Sequence, residues 1–416
     1  MLRPFLSLFS GAAAGQAIVF AAAPILTRIY SPDEFGVLGI FSSYLAILTL
    51  VACLRFELAI PLPKSNRDAW QVLALCMLLV AALSVLLAVL VFVAGDRLLP
   101  IIGAESIGPY AWLFPVALFF SAGYQAASQL ALRYREYGTL ASTRIMQASL
   151  GAFTQISAGL VGLSILGLLI GQTISVGSGS LRLARVLSRK APDLAKELKP
   201  HAILAVAKRY ASFAWFGSPA ALLNGLALHL PTILIGSLYD PITAGQFFLA
   251  QRVLNLPLLL FSSAVSQSYM GEASELLRSG VAGINKLFWK LAMLLAALAL
   301  LGSLCVYYLS PILFGIVFGE AWSTSGVFAS LLACYLGFRF VTTSLAPTLI
   351  IFERQDLSLI VQILSALAVI VSFGLAWHQD LPAVDTVLLY SLSMTVPYIF
   401  GLYFIYRTVA THALRQ

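Results

Sequence analysis

Twelve apolar stretches recur at short intervals along the chain, at roughly residues 6–27, 36–54, 70–94, 109–131, 143–162, 164–187, 211–237, 243–268, 288–308, 325–350, 358–376 and 386–406. Each approaches the ~20 apolar residues a helix needs to cross the hydrocarbon core of a bilayer. In lipid, backbone groups must be satisfied within the segment, so such stretches are helices. The stretches at 143–162 and 164–187 require a tight, uncharged turn over Gly162 to Gly167. At the N-terminus, Ala21-Ala22-Ala23-Pro24 mimics a signal-peptide cleavage site. Only Arg3 precedes that run and many spans follow it, so it is read as the first helix. Cleavage there would remove that helix from the topology.

Composition agrees with a bilayer as solvent. Hydrophobic residues make up 60% of the chain and charged residues 10%, against about 45–50% and about 25% in soluble domains. That balance excludes a water-soluble domain, a disordered chain, a disulfide scaffold and a nucleic-acid module. The net charge of +8 matters through its placement. If both termini are cytoplasmic, every Lys and Arg falls on the inner side except Arg28, Arg97, Arg252 and Arg339. That bias is the positive-inside rule, and missing one span would destroy it.

The longest hydrophilic stretch, 182–210, lies near the midpoint and carries much of the positive charge together with Pro192 and Pro200. It divides the chain into a six-helix lobe at 1–187, a cytoplasmic linker at 188–210 and a second six-helix lobe at 211–416. Leu194 to Val206 within it reads equally well as an amphipathic surface helix or a solvated loop. The halves share a pattern: YSPDEFGVL at 30–38 and YDPITAGQF at 239–247 place Tyr30, Pro32 and Gly36 against Tyr239, Pro241 and Gly245. A proline interrupts the preceding span in both halves, at Pro24 and Pro231. Six helices per repeat imply parallel repeats about an axis along the membrane normal, with a cleft between them. The expected fold is therefore all-α integral membrane, about twelve transmembrane helices in two pseudo-symmetric lobes.

No catalytic constellation is legible. The four histidines are scattered, no glycine pattern cradles a phosphate, and Cys53, Cys76, Cys305 and Cys334 sit in apolar runs without metal-ligand spacing. Neither metal nor cofactor is expected. The informative groups are arginines within spans, each costing about 2.5–3.5 kcal/mol at a helix centre unless a wet cavity or partner receives it. Arg252 lies ~15 Å into span eight at 1.5 Å per residue, with Phe248 and Asn255 on its face. Arg339 lies within span ten, on a stripe with Tyr335, Thr342 and Thr343. Arg28 closes span one at the outer side, and Arg55 closes span two at the inner side. For these two, snorkelling or helix capping is an equally good reading. No acidic residue lies at comparable depth to pair with Arg252 and Arg339, and Glu57 is at the inner end. Unpaired cations at depth imply an anion that comes and goes.

Neutral polar stripes add to this. Span four holds Ser121, Gln125, Ser128 and Gln129, and span five holds Gln147, Thr154 and Gln155. Gln16 and Asn224 take corresponding places in the two halves. Such groups join helices as often as they line a path.

Residues 27–65, TRIYSPDEFGVLGIFSSYLAILTLVACLRFELAIPLPKS, resemble the N-terminal signature of Wzx-type polysaccharide flippases of the multidrug/oligosaccharidyl-lipid/polysaccharide (MOP) exporter superfamily. Residues 244–277, AGQFFLAQRVLNLPLLLFSSAVSQSYMGEASELL, resemble the second-half counterpart. The resemblance implies a MATE-like carrier that flips undecaprenyl-diphosphate-linked oligosaccharide across the bacterial inner membrane. It also implies membrane lipids and other polysaccharide assembly proteins as partners, with no nucleic acid. Carried over residue by residue, Arg28 and Arg55 match the first-half signature and Arg252 the AQR string, whereas Arg339 has no matching motif. The expected substrate-contacting set is Arg28, Arg55, Arg252, Arg339, Asn255, Gln16, Asn224 and Gln125. Two rivals stay open: a cation-coupled multidrug exporter, which should carry deep carboxylates, and a membrane polymerase or ligase, which should carry a sizeable outer loop.

Overall fold

The computed structural model describes residues 2–190, 200–279 and 283–413. Its regular elements are all helical: α1 (Leu2–Ile29), α2 (Pro32–Ala52), α3 (Asn66–Ile101), α4 (Leu113–Arg133), α5 (Tyr137–Leu160), α6 (Ser164–Gly177), α7 (Gly179–Lys190) and α8 (Pro200–Arg209). They continue with α9 (Ser218–Leu238), α10 (Pro241–Ser279), α11 (Ile284–Phe318), α12 (Ser323–Leu345), α13 (Pro347–Ile351), α14 (Gln355–His378) and α15 (Ala383–Ala413). Short 3-10 and π turns join several of them.

Each apolar stretch read from the sequence is mostly helical, but residues 53–54, 109–112 and 161–162 at their ends fall in turns or 3-10 helix, and two stretches are interrupted inside. Span six is broken for one residue at Ser178, where Gly177 and Gly179 lie against Phe120 and Tyr124 of α4. Span ten is broken at Ala346, because Pro347 has no N–H to continue the ladder. Among the described residues, ten segments are long and apolar enough to cross a membrane. The expected twelve included α4 and α5, which fall outside that set. Both are helices of crossing length, 21 and 24 residues, but their glutamine, serine and threonine stripes dilute the hydropathy. The turn after α5 is shorter than expected: it takes residues 161–163, with Gly162 at φ +78°, and Gly167 already lies in α6. Of the surface-helix reading for Leu194 to Val206, residues 191–199 lie outside the described residues, while 200–206 are helical.

The outward surface confirms which solvent these helices meet. Phe92 is 93% exposed and Val93 76%, and α11 presents Leu298, Leu301, Leu304, Ile312 and Ile316 on its outside. In water such rows would drive aggregation; against lipid tails they are the required finish.

By internal contact the chain forms two compact units, Met1–Gly245 and Gln246–Gln416. In the first, α1 packs on α5, α5 on α6, α3 on α4, and α9 along α2. In the second, α11 packs on α12, α12 on α15 and α15 on α14. Division by contact differs from division by repeat because α9, from the second half of the sequence, lies along α2.

The repeated YxP…G pattern has a structural cause inside the first unit. Ser31 caps α2 through a reciprocal capping box with Glu34, and Pro32 takes the first helical position. Asp240 Oδ1 likewise accepts from the Thr243 N–H at 2.6 Å, ahead of Pro241. The two helix starts then cross. A methyl group on Gly36 would lie 1.8 Å from the Pro241 carbonyl oxygen, and one on Gly245 would lie 1.9 Å from the Pro32 carbonyl oxygen. Only glycine permits this reciprocal backbone contact. Tyr30, 3% exposed, donates its hydroxyl proton to the Gln155 carbonyl at 2.7 Å and so ties the end of α1 to α5.

Candidate functional site

The second unit gathers Arg252, Asn255 and Arg339. Arg252 and Asn255 are three residues apart on α10, a spacing that puts Cβ atoms about 5–6 Å apart on one face. Arg339, on α12, donates from Nη1 to Asn255 Oδ1 at 2.9 Å. The Arg339 guanidinium is therefore held by a neutral amide that lies on α10 within one turn of Arg252. The Arg252 guanidinium carbon lies 6.0 Å from the centre of the Phe248 ring, one turn earlier, within cation–π range. Both arginines are half-buried. Among the described residues, neither forms an ion pair with a carboxylate.

Tyr335 on α12 and Tyr390 and Tyr398 on α15 are the electrostatic neighbours of Arg339. The Tyr335 ring lies 5.7 Å from that of Tyr390 and 6.3 Å, stacked, from that of Tyr398. All three are buried. Hydroxyl dipoles lower the cost of holding a cation without cancelling its charge. Pro257, five residues beyond Arg252, removes a helical N–H and leaves the Val253 carbonyl without its ladder partner.

Thr342 and Thr343 share the stripe with Arg339 but are occupied by backbone. Thr342 Oγ1 donates to the carbonyls of Phe338 and Tyr398, and Thr343 Oγ1 to that of Arg339 at 2.8 Å. Thr342 thereby ties α12 to α15, whereas Thr343 bonds within its own helix.

In the first unit the same sorting separates joints from free groups. Gln147 Nε2 donates to the Val176 carbonyl and Gln155 Nε2 to that of Leu168, which makes them ties between α5 and α6. Thr49 Oγ1 donates to Ser121 Oγ, and Ser128 Oγ donates to the Tyr124 carbonyl. By contrast Gln16 on α1, Gln125 on α4 and Asn224 on α9 bond through their side chains to no other described residue. Gln16 and Gln125 are partly exposed and Asn224 is exposed, so their amides are open to water or a ligand.

Arg28, in the last turn of α1, is exposed. Arg55 sits at φ +60° in the turn after α2, and its Nη1 lies 3.4 Å from Glu57 Oε1. Glu57 is 1% exposed and neither carboxylate oxygen has a hydrogen-bond donor. Burial pushes its carboxyl above the usual carboxylate range, and the nearby Arg55 charge offsets part of that. Arg55 is thus engaged by an internal anion, as Arg252 and Arg339 are not.

Comparison with known proteins follows the same lines. The profile of a family described as polysaccharide biosynthesis protein matches residues 25–327. The chain belongs to that family. The match takes in both segments, 27–65 and 244–277, whose resemblance was read from the sequence. Succinoglycan biosynthesis transport protein ExoT of Rhizobium meliloti (strain 1021) is 24% identical over 254 residues, 59% of this chain and 48% of that protein. The chain spans about half the length of that curated relative. Two solved structures share the fold. An inward-facing MATE-family multidrug resistance transporter of the MOP superfamily superposes with a TM-score of 0.71 at 15% identity, over 95% of this chain and 96% of that one. The lipid II flippase MurJ, in an inward closed conformation, superposes with a TM-score of 0.69 at 13% identity, over 97% of this chain and 87% of that one. The chain is a multi-pass membrane protein with a MATE-like, MOP-type fold.

Sequence reasoning named the arginines and Asn255 of this family member but missed Tyr390 and Tyr398. Their spacing of eight places both on one side of the last helix, a signal that was present. Their convergence on Arg339 comes from the packing of α12 on α15.

Proposed function

We propose that the chain is a flippase carrying undecaprenyl-diphosphate-linked oligosaccharide from the cytoplasmic to the periplasmic leaflet of the bacterial inner membrane, with both termini cytoplasmic. The observation that carries this reading is the Arg252–Asn255–Arg339 group, two cations within membrane-spanning helices and joined to no carboxylate among the described residues. A diphosphate stripped of water faces a Born penalty of many kcal/mol, of order 20 per ion in the idealised limit. Guanidinium groups in a wet cavity lower it, and their fork geometry suits phosphate oxygens. The unpaired amides Gln16, Gln125 and Asn224 suit sugar hydroxyls. Arg28 and Arg55 would meet the anion near the two membrane faces, with Glu57 competing for Arg55. Movement is by alternating access, the cavity opening to one leaflet at a time. Membership of a polysaccharide biosynthesis family and the transport role named for the succinoglycan relative support this reading. Other polysaccharide assembly proteins would act alongside it, in O-antigen, lipopolysaccharide or related surface-glycan pathways.

Arg252→Ala and Arg339→Ala should each abolish surface polysaccharide while membrane levels of the protein stay normal. Lipid-linked glycan should then accumulate on the inner leaflet. Normal surface polysaccharide in both strains would refute the assignment. A cation-coupled drug exporter would carry carboxylates in its spans; among the described residues the buried acid is Glu57, which lies in the turn between α2 and α3. Dye extrusion that depends on the chain would favour that rival. Glycosidic bond formation by the pure protein would favour a polymerase or ligase.

A further inference from the structure

At one end of the second unit, a cavity of about 360 Å³ opens between the start of α14 and the last turns of α15. Its volume lies in the ~300–1,000 Å³ range of small-molecule sites. Phe404, Arg407, Thr408 and Thr411 line it from α15 at spacings of three, four and seven, a single helical stripe. Phe352 and Arg354 line it from the turn between α13 and α14. That turn is closed by the Arg354 N–H donating to the Leu349 carbonyl at 2.7 Å, with Glu353 at φ +57°, so the position of Arg354 is set by backbone.

The polar inventory is specific. Arg354 uses Nε and Nη2 on Asp356, at 3.1 and 3.0 Å, which leaves Nη1 uncommitted. Arg407 is exposed and forms no ion pair among the described residues. Thr408 and Thr411 already donate to the Phe404 and Arg407 carbonyls of their own helix, at 2.8 Å each. Recognition of an anion therefore falls to the two guanidinium groups. The remaining walls are the rings of Phe352 and Phe404 and the side chain of Leu357. Guanidinium groups beside apolar walls match an amphiphile better than a free ion.

From this geometry we infer that the cavity binds the phosphate headgroup of an anionic phospholipid, held by Arg354 and Arg407 with its glycerol and upper acyl carbons against Phe352 and Phe404. The site is distinct from the Arg252–Arg339 group and does not depend on transport. On the orientation adopted above it faces the cytoplasmic leaflet, where basic pockets between helices receive such headgroups. Asp356 competes for Arg354 and weakens the site.

The test uses the full chain in neutral detergent, with lipid binding followed by native mass spectrometry. Phosphatidylglycerol should bind about tenfold more tightly than phosphatidylcholine of the same chains. Arg407→Gln should abolish that preference and Arg407→Lys should retain most of it, with gel filtration confirming that both variants are monodisperse. Asp356→Asn should strengthen phosphatidylglycerol binding several-fold, a gain that misfolding cannot produce. Equal binding of the two lipids by the native chain would overturn the inference, as would an unchanged preference in both Arg407→Gln and Arg354→Gln. Displacement of phosphatidylglycerol by millimolar inorganic phosphate would reassign the site to a free anion. Stronger displacement by undecaprenyl diphosphate would reassign it to the proposed substrate.

Discussion

Replacing Gly36 with alanine tests whether the repeated glycine is there for close backbone contact. The added methyl carbon would stand 1.8 Å from the Pro241 carbonyl oxygen, whereas a relaxed C···O contact is about 3.3 Å or more. The start of α2 must then move roughly 1.5 Å away from that of α10, since the obstacle is backbone and has no rotamer to adopt. Overpacking of this kind costs about 1–3 kcal/mol. If the closed crossing is in equilibrium with an open one, the same energy shifts that equilibrium by about 5–150-fold. Ala244, fully buried beside the crossing, supplies the reporter. Ala244→Cys in a chain whose four native cysteines are replaced should react slowly with a maleimide, and faster by that factor once Gly36→Ala is added. Gly245→Ala should behave alike, because its methyl group would lie 1.9 Å from the Pro32 carbonyl oxygen. Unchanged labelling together with unchanged thermal stability in both variants would show that the glycines are incidental.

Two further outcomes follow from the polar groups. Asn255→Ala removes the acceptor for Arg339 Nη1; loss of a hydrogen bond to a charged group should cost about 1.5–3 kcal/mol, measured by chemical or thermal unfolding, unless water enters and replaces it. Glu57 gives a pH signature. Its carboxyl is raised above the unfolded value of about 4.3, so the folded chain holds the proton longer. Stability then declines as pH rises from the unfolded pKa through the folded one, and Glu57→Gln should flatten that decline in a melting series against pH. Parallel native and Glu57→Gln curves would contradict a buried, poorly compensated carboxylate.

The reach of sequence reasoning differs between backbone and side chains. Ser31, Pro32 and Glu34 announce the start of α2 because a capping box is a local device with local residues. The Gly36 and Gly245 match was visible as a repeat, yet its reason, a backbone oxygen less than 2 Å from a would-be methyl, required the crossing. Gln155 and Gln125 look alike in sequence. One is a tie to the Leu168 carbonyl and the other is unpaired, and nothing local distinguishes them. Tyr398 lies close in space to Arg339 but far along the chain, so periodicity put it on one face of α15 without showing what that face meets.

Hydrophobic run length, loop charge and caps act within a few residues, and the bilayer reads them one segment at a time. The solvent, the succession of helices, the repeat and the arginines stranded in apolar spans were therefore all decided by the order of residues. Which polar groups are consumed as joints and which remain available is a question of partners contributed by other helices. Only packing brought Asn255 to Arg339, and Arg354 to the cavity it shares with Arg407.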